Sequence, residues 1–393
     1  MLRVKASEGG VVGTGDVHYP RLDSLRGVAA QPVLFSHALG MLFPTQFPAI
    51  STAGWAARIS VLLFFVLSGF VITVSIRQQM QRTGEFSWVH FAVRRFARIY
   101  PTYLLAIALI ALLVLLRLSG IPITGHSGPD EEPNLDVCAW LRTLLFLFTT
   151  RDPALYFDGP LWSLRLEVAL YVITAMGVLA WLAKGFRRIA LLVVFAILVS
   201  LYCWRFPLSI VALALFVSGA IAAAWVARAA APALWWSSIA VAASVVIPLF
   251  IPDLATDSTR SRFYQCALGI PMALWMASLA KAEPRETSSF VRHTSVLAGW
   301  SYSLYVTHLP LLLGLAALMT HVGVNELSAG SRFIVLFAYV ITINLLALAI
   351  AFITERPSFY AQKVSHVLRL LSDLRTHVAL RRTATKGDLG PPQ

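Results

Sequence analysis

The chain has 393 residues, of which 58% are hydrophobic and only 13% charged. A soluble domain carries about 25% charged and about 45–50% apolar residues, so this composition excludes a soluble fold and implies a polytopic membrane protein. The formal net charge of +13 does not point to nucleic acid, because the basic residues cluster between apolar segments, where the positive-inside rule expects them.

Residues 1–21 are polar, and their positive start is not followed by an apolar run. They read as a cytoplasmic N-terminal segment, not as a cleavable signal peptide. Apolar windows of about 18 or more residues mark helices that can span a bilayer. They fall at 22–43, 56–76, 100–118, 161–183, 188–204, 206–227, 232–252, 263–280, 296–318 and 332–354. The expected fold is an all-α, polytopic transmembrane helical bundle of about ten spans. A shorter apolar piece, 137–150, reads as an interfacial or re-entrant segment.

Loop charges orient these spans. Arg77, Arg82, Arg94, Arg95 and Arg98 follow the second window, whereas Asp130, Glu131, Glu132 and Asp136 follow the third. The first loop therefore reads as cytoplasmic and the second as external. If 137–150 does not cross, the loop with Lys184, Arg187 and Arg188 falls inside, as do Lys281, Arg285 and Arg292 and, later, Arg356, Lys363 and Arg369. Both termini are then cytoplasmic. Residues 22–357 make one transmembrane domain, and 358–393 a basic cytoplasmic tail whose start is amphipathic and whose end is read as disordered. There is no internal repeat of the kind that marks many transporters. Cys138, Cys203 and Cys266 show neither metal nor disulfide spacing, and no metal site is expected.

The first window carries an unexpected stripe. Asp23, Arg26 and His37 lie in an otherwise apolar helix, and ionisable groups at bilayer depth read by default as functional. At about 100° per residue, Arg26 and His37 fall within roughly 20° of each other, about 16 Å apart along the axis. A neutral imidazole can act as a general base toward a hydroxyl; the alternative is a histidine bonded to a neighbouring helix for packing. Asp23, one turn from Arg26, most simply holds that guanidinium.

Further along, Arg95 and Arg98 sit three apart on one helical face. Such a pair can grip a phosphate or merely set topology and bind anionic lipid. Ser163, Glu167 and Tyr171 recur at i, i+4 and i+8; Glu167 is read at the depth of His37, able to orient or charge-stabilise the imidazolium, or else to pair structurally with Arg165 or Arg58. Ser301, Tyr305 and His308 form a polar stripe suited to a bundle interior or a water-filled cavity. Ser68 and Gly69 interrupt a bulky run, read first as close helix packing and second as a lane for an acyl chain. Glu355-Arg356-Pro357 reads as capping and pairing at the cytoplasmic edge, or as the lining of an inner pocket mouth.

Together these stretches resemble the integral-membrane O-acyltransferases of the acyltransferase-3 type. The resemblance rests on six motifs in order from Leu22 to Pro357. Arg26 and His37 match an Arg, ten residues, His pattern, and Phe64 to Ile72 a second-helix signature. Arg95-Phe-Ala-Arg98 matches Arg-x-x-Arg, and Leu161 to Tyr171 a Leu-Trp-Ser-Leu-x-x-Glu-Glu-x-x-Tyr block. Ser301 to His308 and Glu355-Arg356-Pro357 match the closing motifs. Val168 stands where the family often has a second glutamate, so Glu167 alone carries any acidic role. The esterase-like domain of some relatives is not expected.

The resemblance implies a multi-pass enzyme of a bacterial inner (plasma) membrane. It would move an acyl group, probably acetyl in the first instance, from acyl-CoA to a hydroxyl of a carbohydrate, glycolipid or similar acceptor. His37 and Glu167 are the implied catalytic pair; Arg26, Arg95 and Arg98 hold the donor; Ser163, Tyr171, Ser301, Tyr305 and His308 line the substrate pocket. Acyl-CoA is a substrate, and no permanently bound cofactor is implied. Membrane lipid, the donor and a carbohydrate or lipid-linked acceptor are the expected partners. His37 either deprotonates the acceptor directly or briefly takes the acyl group. The rival reading is a transporter or flippase using Arg, His and Glu as a pathway; a third is an inactive scaffold.

Overall fold

A computed structural model describes residues 19–43, 52–123, 135–147, 161–205, 208–228, 231–255, 258–282, 289–320, 327–367 and 369. Among the described residues there is no β-strand. The helices are α1 Pro20–Leu42, α2 Thr52–Thr83, α3 Trp88–Leu118, α4 Val137–Leu144, α5 Leu161–Leu182, α6 Gly185–Arg205, α7 Ser209–Val226, α8 Leu234–Phe250, α9 Thr259–Ala267, α10 Gly269–Lys281, α11 Ser289–Leu297, α12 Ser301–Thr320 and α13 Ala329–Thr354.

Among the described residues, every apolar window of spanning length overlaps a helix. Among the described residues eight helices are long and apolar enough to cross a membrane, the α9–α10 pair counting as one. The other two windows correspond to α1 and α8. Helix α1 carries Arg21, Asp23 and Arg26 in its first two turns, and α8 has only 17 residues, or about 26 Å. Helix α4 has eight residues, about 12 Å against a hydrocarbon core of about 30 Å, so it does not cross by itself. Asp136 caps it by accepting from the Cys138 and Ala139 amides, and it is docked on α3: the Tyr103 hydroxyl donates to the Thr143 carbonyl at 2.6 Å, and the ring stacks on Phe146.

Helix α1 lies against α2, α11, α12 and α13. Proline at its first position and Asp23 in its first turn suit a helix start. Gly27 is required there, because a Cβ would stand 2.7 Å from Leu297 Cβ and 2.8 Å from the Ala298 nitrogen. Polar pairs add to the junction: Ser24 with Thr294 at 2.5 Å, and Gln31 with Asn344 through both amide atoms. In lipid, where helices gain nothing by hiding from water, such close approach and interhelical bonds carry association.

Helices α2 and α7 make the tightest crossing. A Cβ on Gly69 would meet the Phe216 carbonyl oxygen at 1.9 Å, and one on Gly219 would meet the Val66 carbonyl oxygen at 1.9 Å. Each glycine seats the partner's backbone. The apolar core then runs through α2, α3, α5, α7 and α10, with a second cluster between α1, α12 and α13. Helix α6 packs on α5 and is otherwise an exposed apolar surface, the composition of a lipid-facing helix.

Candidate functional site: two stacked cavities

Two cavities lie along α1. The first, of about 110 Å³, is bordered by Asp23 and Arg26 of α1, Ser68 of α2, Arg95 and Arg98 of α3, Ser163, Glu167 and Tyr171 of α5, and Ser301, Tyr302 and Tyr305 of α12. The second, of about 310 Å³, is bordered by Val33 and His37 of α1, Arg58 of α2, Trp162 of α5, Gln265 of α9 and Tyr305. Val61, Phe65 and Tyr305 border both. From the first cavity to the second the lining residue numbers rise along α1 and fall along α2 and α5, so the cavities are stacked along the bundle with those three side chains as the partition.

The first cavity is an anion site. Arg95 lies over two aromatic rings, 5.5 Å from the centroid of Phe91 and 5.8 Å from that of Tyr171. The rings hold its plane and leave its N–H fork uncommitted. Among the described residues neither Arg95 nor Arg98 makes a hydrogen bond or an ion pair, and Arg95 Nε is buried without a partner. Arg26 donates to the Ala298 carbonyl at 3.0 Å and stands 3.8 Å from Asp23, while its buried Nε has no hydrogen-bond acceptor. Asp23 thus holds Arg26, as the sequence suggested. Three guanidiniums with donors to spare suit a phosphorylated ligand.

Glu167 sits among them. It accepts from the Tyr171 hydroxyl at 2.5 Å and from the Ser68 hydroxyl, and it lies within electrostatic reach of Arg26 and Arg95. Here the structure corrects an expectation. Glu167 was read at the depth of His37 as its acidic partner, yet the two residues border different cavities. The reason is the start of α5: Ser163 is bonded to the Tyr305 hydroxyl at 2.5 Å, level with the partition. From there the helix runs away from His37, so Glu167 and then Tyr171 reach the level of Arg95.

His37 has another neighbour. Its Nδ1 is 2.8 Å from the Val33 carbonyl and 3.4 Å from Nε2 of His308. His308 is buried and borders neither cavity, a correction to its reading as pocket lining; it backs His37 instead. Of the ten candidate site residues, eight border the first cavity, Tyr305 among them bordering the second as well; His37 borders the second alone and His308 neither. Ser301 donates to the Ala298 carbonyl that Arg26 also uses. Glu355 caps α12 by accepting from the Ser303 amide at 2.9 Å, as its position suggested.

Ser68, read first as packing, borders the first cavity and donates to Glu167, whereas Gly69 faces α7. Arg58, read only as a structural partner for Glu167, borders the second cavity, as does Gln265, which was not singled out. An intramembrane glutamine in an apolar window is a signal that could have been read; nothing in the sequence joins it to His37.

An arginine-lined chamber beside a histidine-lined one inside a helical bundle is an arrangement a group-transfer enzyme can use. Comparison with known proteins agrees: the profile of an acyltransferase domain matches residues 19–355, and the chain belongs to that family. It is therefore a multi-pass membrane acyltransferase. It is 28% identical over 333 residues to the acyltransferase MdmB of Streptomyces mycarofaciens, covering 74% of this chain and 78% of that protein. It is 34% identical over 164 residues to protein 2 of the picA locus of Rhizobium radiobacter, covering 39% of this chain and 79% of that protein. No solved structure matches.

Proposed function

We propose that this enzyme transfers an acyl group, acetyl in the simplest case, from cytoplasmic acyl-CoA to a hydroxyl of a carbohydrate, glycolipid or similar acceptor. Arg95, Arg98 and Arg26 bind the donor's phosphates at the first cavity. The pantetheine arm extends along α1, and the thioester meets the partition at Tyr305. The acceptor occupies the second cavity. Its hydroxyl oxygen attacks the thioester carbonyl, its proton passes to His37, the new C–O bond forms and the C–S bond breaks. The proton then leaves with the CoA thiolate as free thiol. Glu167 acts on the donor side, with Ser68 and Tyr171, not on His37.

One observation carries this reading. An anion site with uncommitted guanidiniums and a histidine chamber open on opposite sides of one shared partition, with Arg26 and His37 about 16 Å apart on the same helix, a span suited to an extended arm. On this reading the arginine end lies at the cytoplasmic face of a bacterial inner membrane, with ten crossings and both termini inside; the clustering of basic loop residues supports that orientation. The test is transfer of labelled acetyl from acetyl-CoA to membrane and glycan fractions, wild type against His37→Ala. Equal labelling by a well-folded variant removes His37 from the reaction. For the topology, a Lys184→Cys variant stays unlabelled by an impermeant reagent outside intact cells; labelling there sinks the ten-span arrangement.

A further inference from the structure

Resting on that reading, we propose that His308 is a positioning residue for the reaction: it fixes His37 in the tautomer whose lone pair is on Nε2, and it supports the imidazolium that proton transfer creates.

The argument starts from what carbonyl oxygens can do, which is only accept. Nδ1 of His308 lies 2.8 Å from the Tyr305 carbonyl and 3.2 Å from the Leu304 carbonyl. That nitrogen carries a hydrogen, so the lone pair of the neutral ring is on Nε2. The same reasoning applies to His37: Nδ1 lies 2.8 Å from the Val33 carbonyl and carries a hydrogen, which leaves the lone pair of its neutral ring on Nε2. The two rings meet at 3.4 Å between Nε2 of His308 and Nδ1 of His37, with centroids 5.0 Å apart. An acceptor therefore faces a donor. The His37 N–H is shared between a backbone carbonyl and the His308 lone pair.

The reverse arrangement fails on the same contacts. A His308 protonated at both nitrogens would aim Nε2–H at a nitrogen whose own hydrogen is committed to Val33. A His37 protonated on Nε2 alone would set the bare Nδ1 against both the Val33 oxygen and the His308 lone pair. Only one pair of tautomers satisfies these contacts together.

The consequence for catalysis is directional. When His37 takes the acceptor's proton on Nε2, its Nδ1–H becomes a stronger donor, and the His308 lone pair is already in line to accept from it. A carboxylate commonly fills this orienting place behind a catalytic histidine. Here Glu167 is occupied in the other chamber with Ser68 and Tyr171, and a second imidazole stands there instead.

The test compares His308→Leu, which has no acceptor, with His308→Gln, whose amide oxygen can reach the place of Nε2. Readouts are the turnover of [14C]acetyl-CoA into host membrane vesicles, the donor KM, and acetyl-CoA binding as the check that the arginine cavity is folded. His308→Leu is expected to lower kcat by about 10- to 100-fold, the range of orienting partners, with donor KM and binding unchanged, and His308→Gln to recover most of it. Wild-type turnover in a folded His308→Leu enzyme overturns the proposal, as does a His308→Gln enzyme no better than His308→Leu. The wild type supplies a reading that needs no His308 variant. Histidine-labelled 15N spectra, assigned by subtracting His37→Ala, are expected to give a His37 ring protonated on Nδ1 and bare on Nε2; the opposite tautomer overturns the proposal. The outcomes are separable. Loss of transfer in His37→Ala with full transfer in His308→Leu sinks this inference alone, whereas a wild type that moves no acetyl sinks the underlying reading with it.

Discussion

The two cavities share walls from α1, α2, α5 and α12; the first adds α3, the second α7 and α9. The first is small, draws its polar groups from α1, α2, α3, α5 and α12, and concentrates three guanidiniums and two carboxylates. The second is roomier, and its polar groups are a histidine, an arginine, a glutamine, a tryptophan and a shared tyrosine. On the proposed function, clustered charge holds a phosphorylated donor, and the histidine chamber receives an acceptor hydroxyl. Recognition and chemistry would then be segregated by one layer of side chains, Val61, Phe65 and Tyr305.

The sharpest way to break this division is to damage one chamber and read the other. His37→Ala is expected to reduce acetyl transfer by about 10²- to 10⁴-fold, the usual contribution of a positioned acid or base, with acetyl-CoA binding intact. Weakened donor binding in that variant would mean the chambers are not separate. In the other direction, Arg95→Ala combined with Arg98→Ala removes bonds to charged groups worth about 1.5–3 kcal/mol each. Donor KM is expected to rise by about 10- to 100-fold or more while turnover of bound donor changes less; an unchanged donor KM would return the pair to lipid binding and topology.

The wall comes next. Gly219→Ala drives a methyl group into the Val66 carbonyl, beside the partition residue Phe65. Overpacking of this kind costs about 1–3 kcal/mol, to be read as a lower melting temperature in detergent. Gly40→Ala, where nothing lies within 4 Å, serves as the control that melts like wild type. The smallest effect is expected at Tyr171. Its ring supports Arg95, and a cation–π contact is worth about 0.5–2 kcal/mol. Tyr171→Leu is expected to raise donor KM by about 3- to 10-fold, and Tyr171→Phe, which keeps the ring, by less. Equal effects would assign the role to the hydroxyl and Glu167.

Much of this arrangement was legible beforehand because membranes simplify reading. A window such as 161–183 is apolar for one physical reason, and it is a helix in the structure. Spacing along one helix was also readable: Ser163, Glu167 and Tyr171 of α5 border one cavity together, and Arg26 and His37 of α1 each border a cavity. What could not be read was the depth at which one helix stands beside another. That offset is set by contacts such as Ser163 with Tyr305 and Gly27 with Leu297, between residues 142 positions apart in the first case. For that reason Glu167 was paired with the wrong chamber and His308 with the wrong surface, although both had been singled out. Ser68 and Gly69 differ for a similar reason: adjacent residues on a helix point about 100° apart, and only the neighbours α5 and α7 decide which side is pocket and which is packing.

The Glu355 cap on α12 has a consequence for how the enzyme comes into being. Arg26 finds its backbone acceptor, Ala298, 272 residues further along the chain, and the carboxylate that caps the helix starting three residues after Ala298 comes from residue 355. At translation rates of about 5–20 residues per second, Arg26 enters the membrane roughly 14–54 s before the segment that seats it exists. Throughout that interval Arg26 has Asp23 beside it but not its backbone acceptor, and the first cavity lacks the α12 residues Ser301, Tyr302 and Tyr305 that border it. On the proposed function, a chain halted before α12 is made has only part of its donor site.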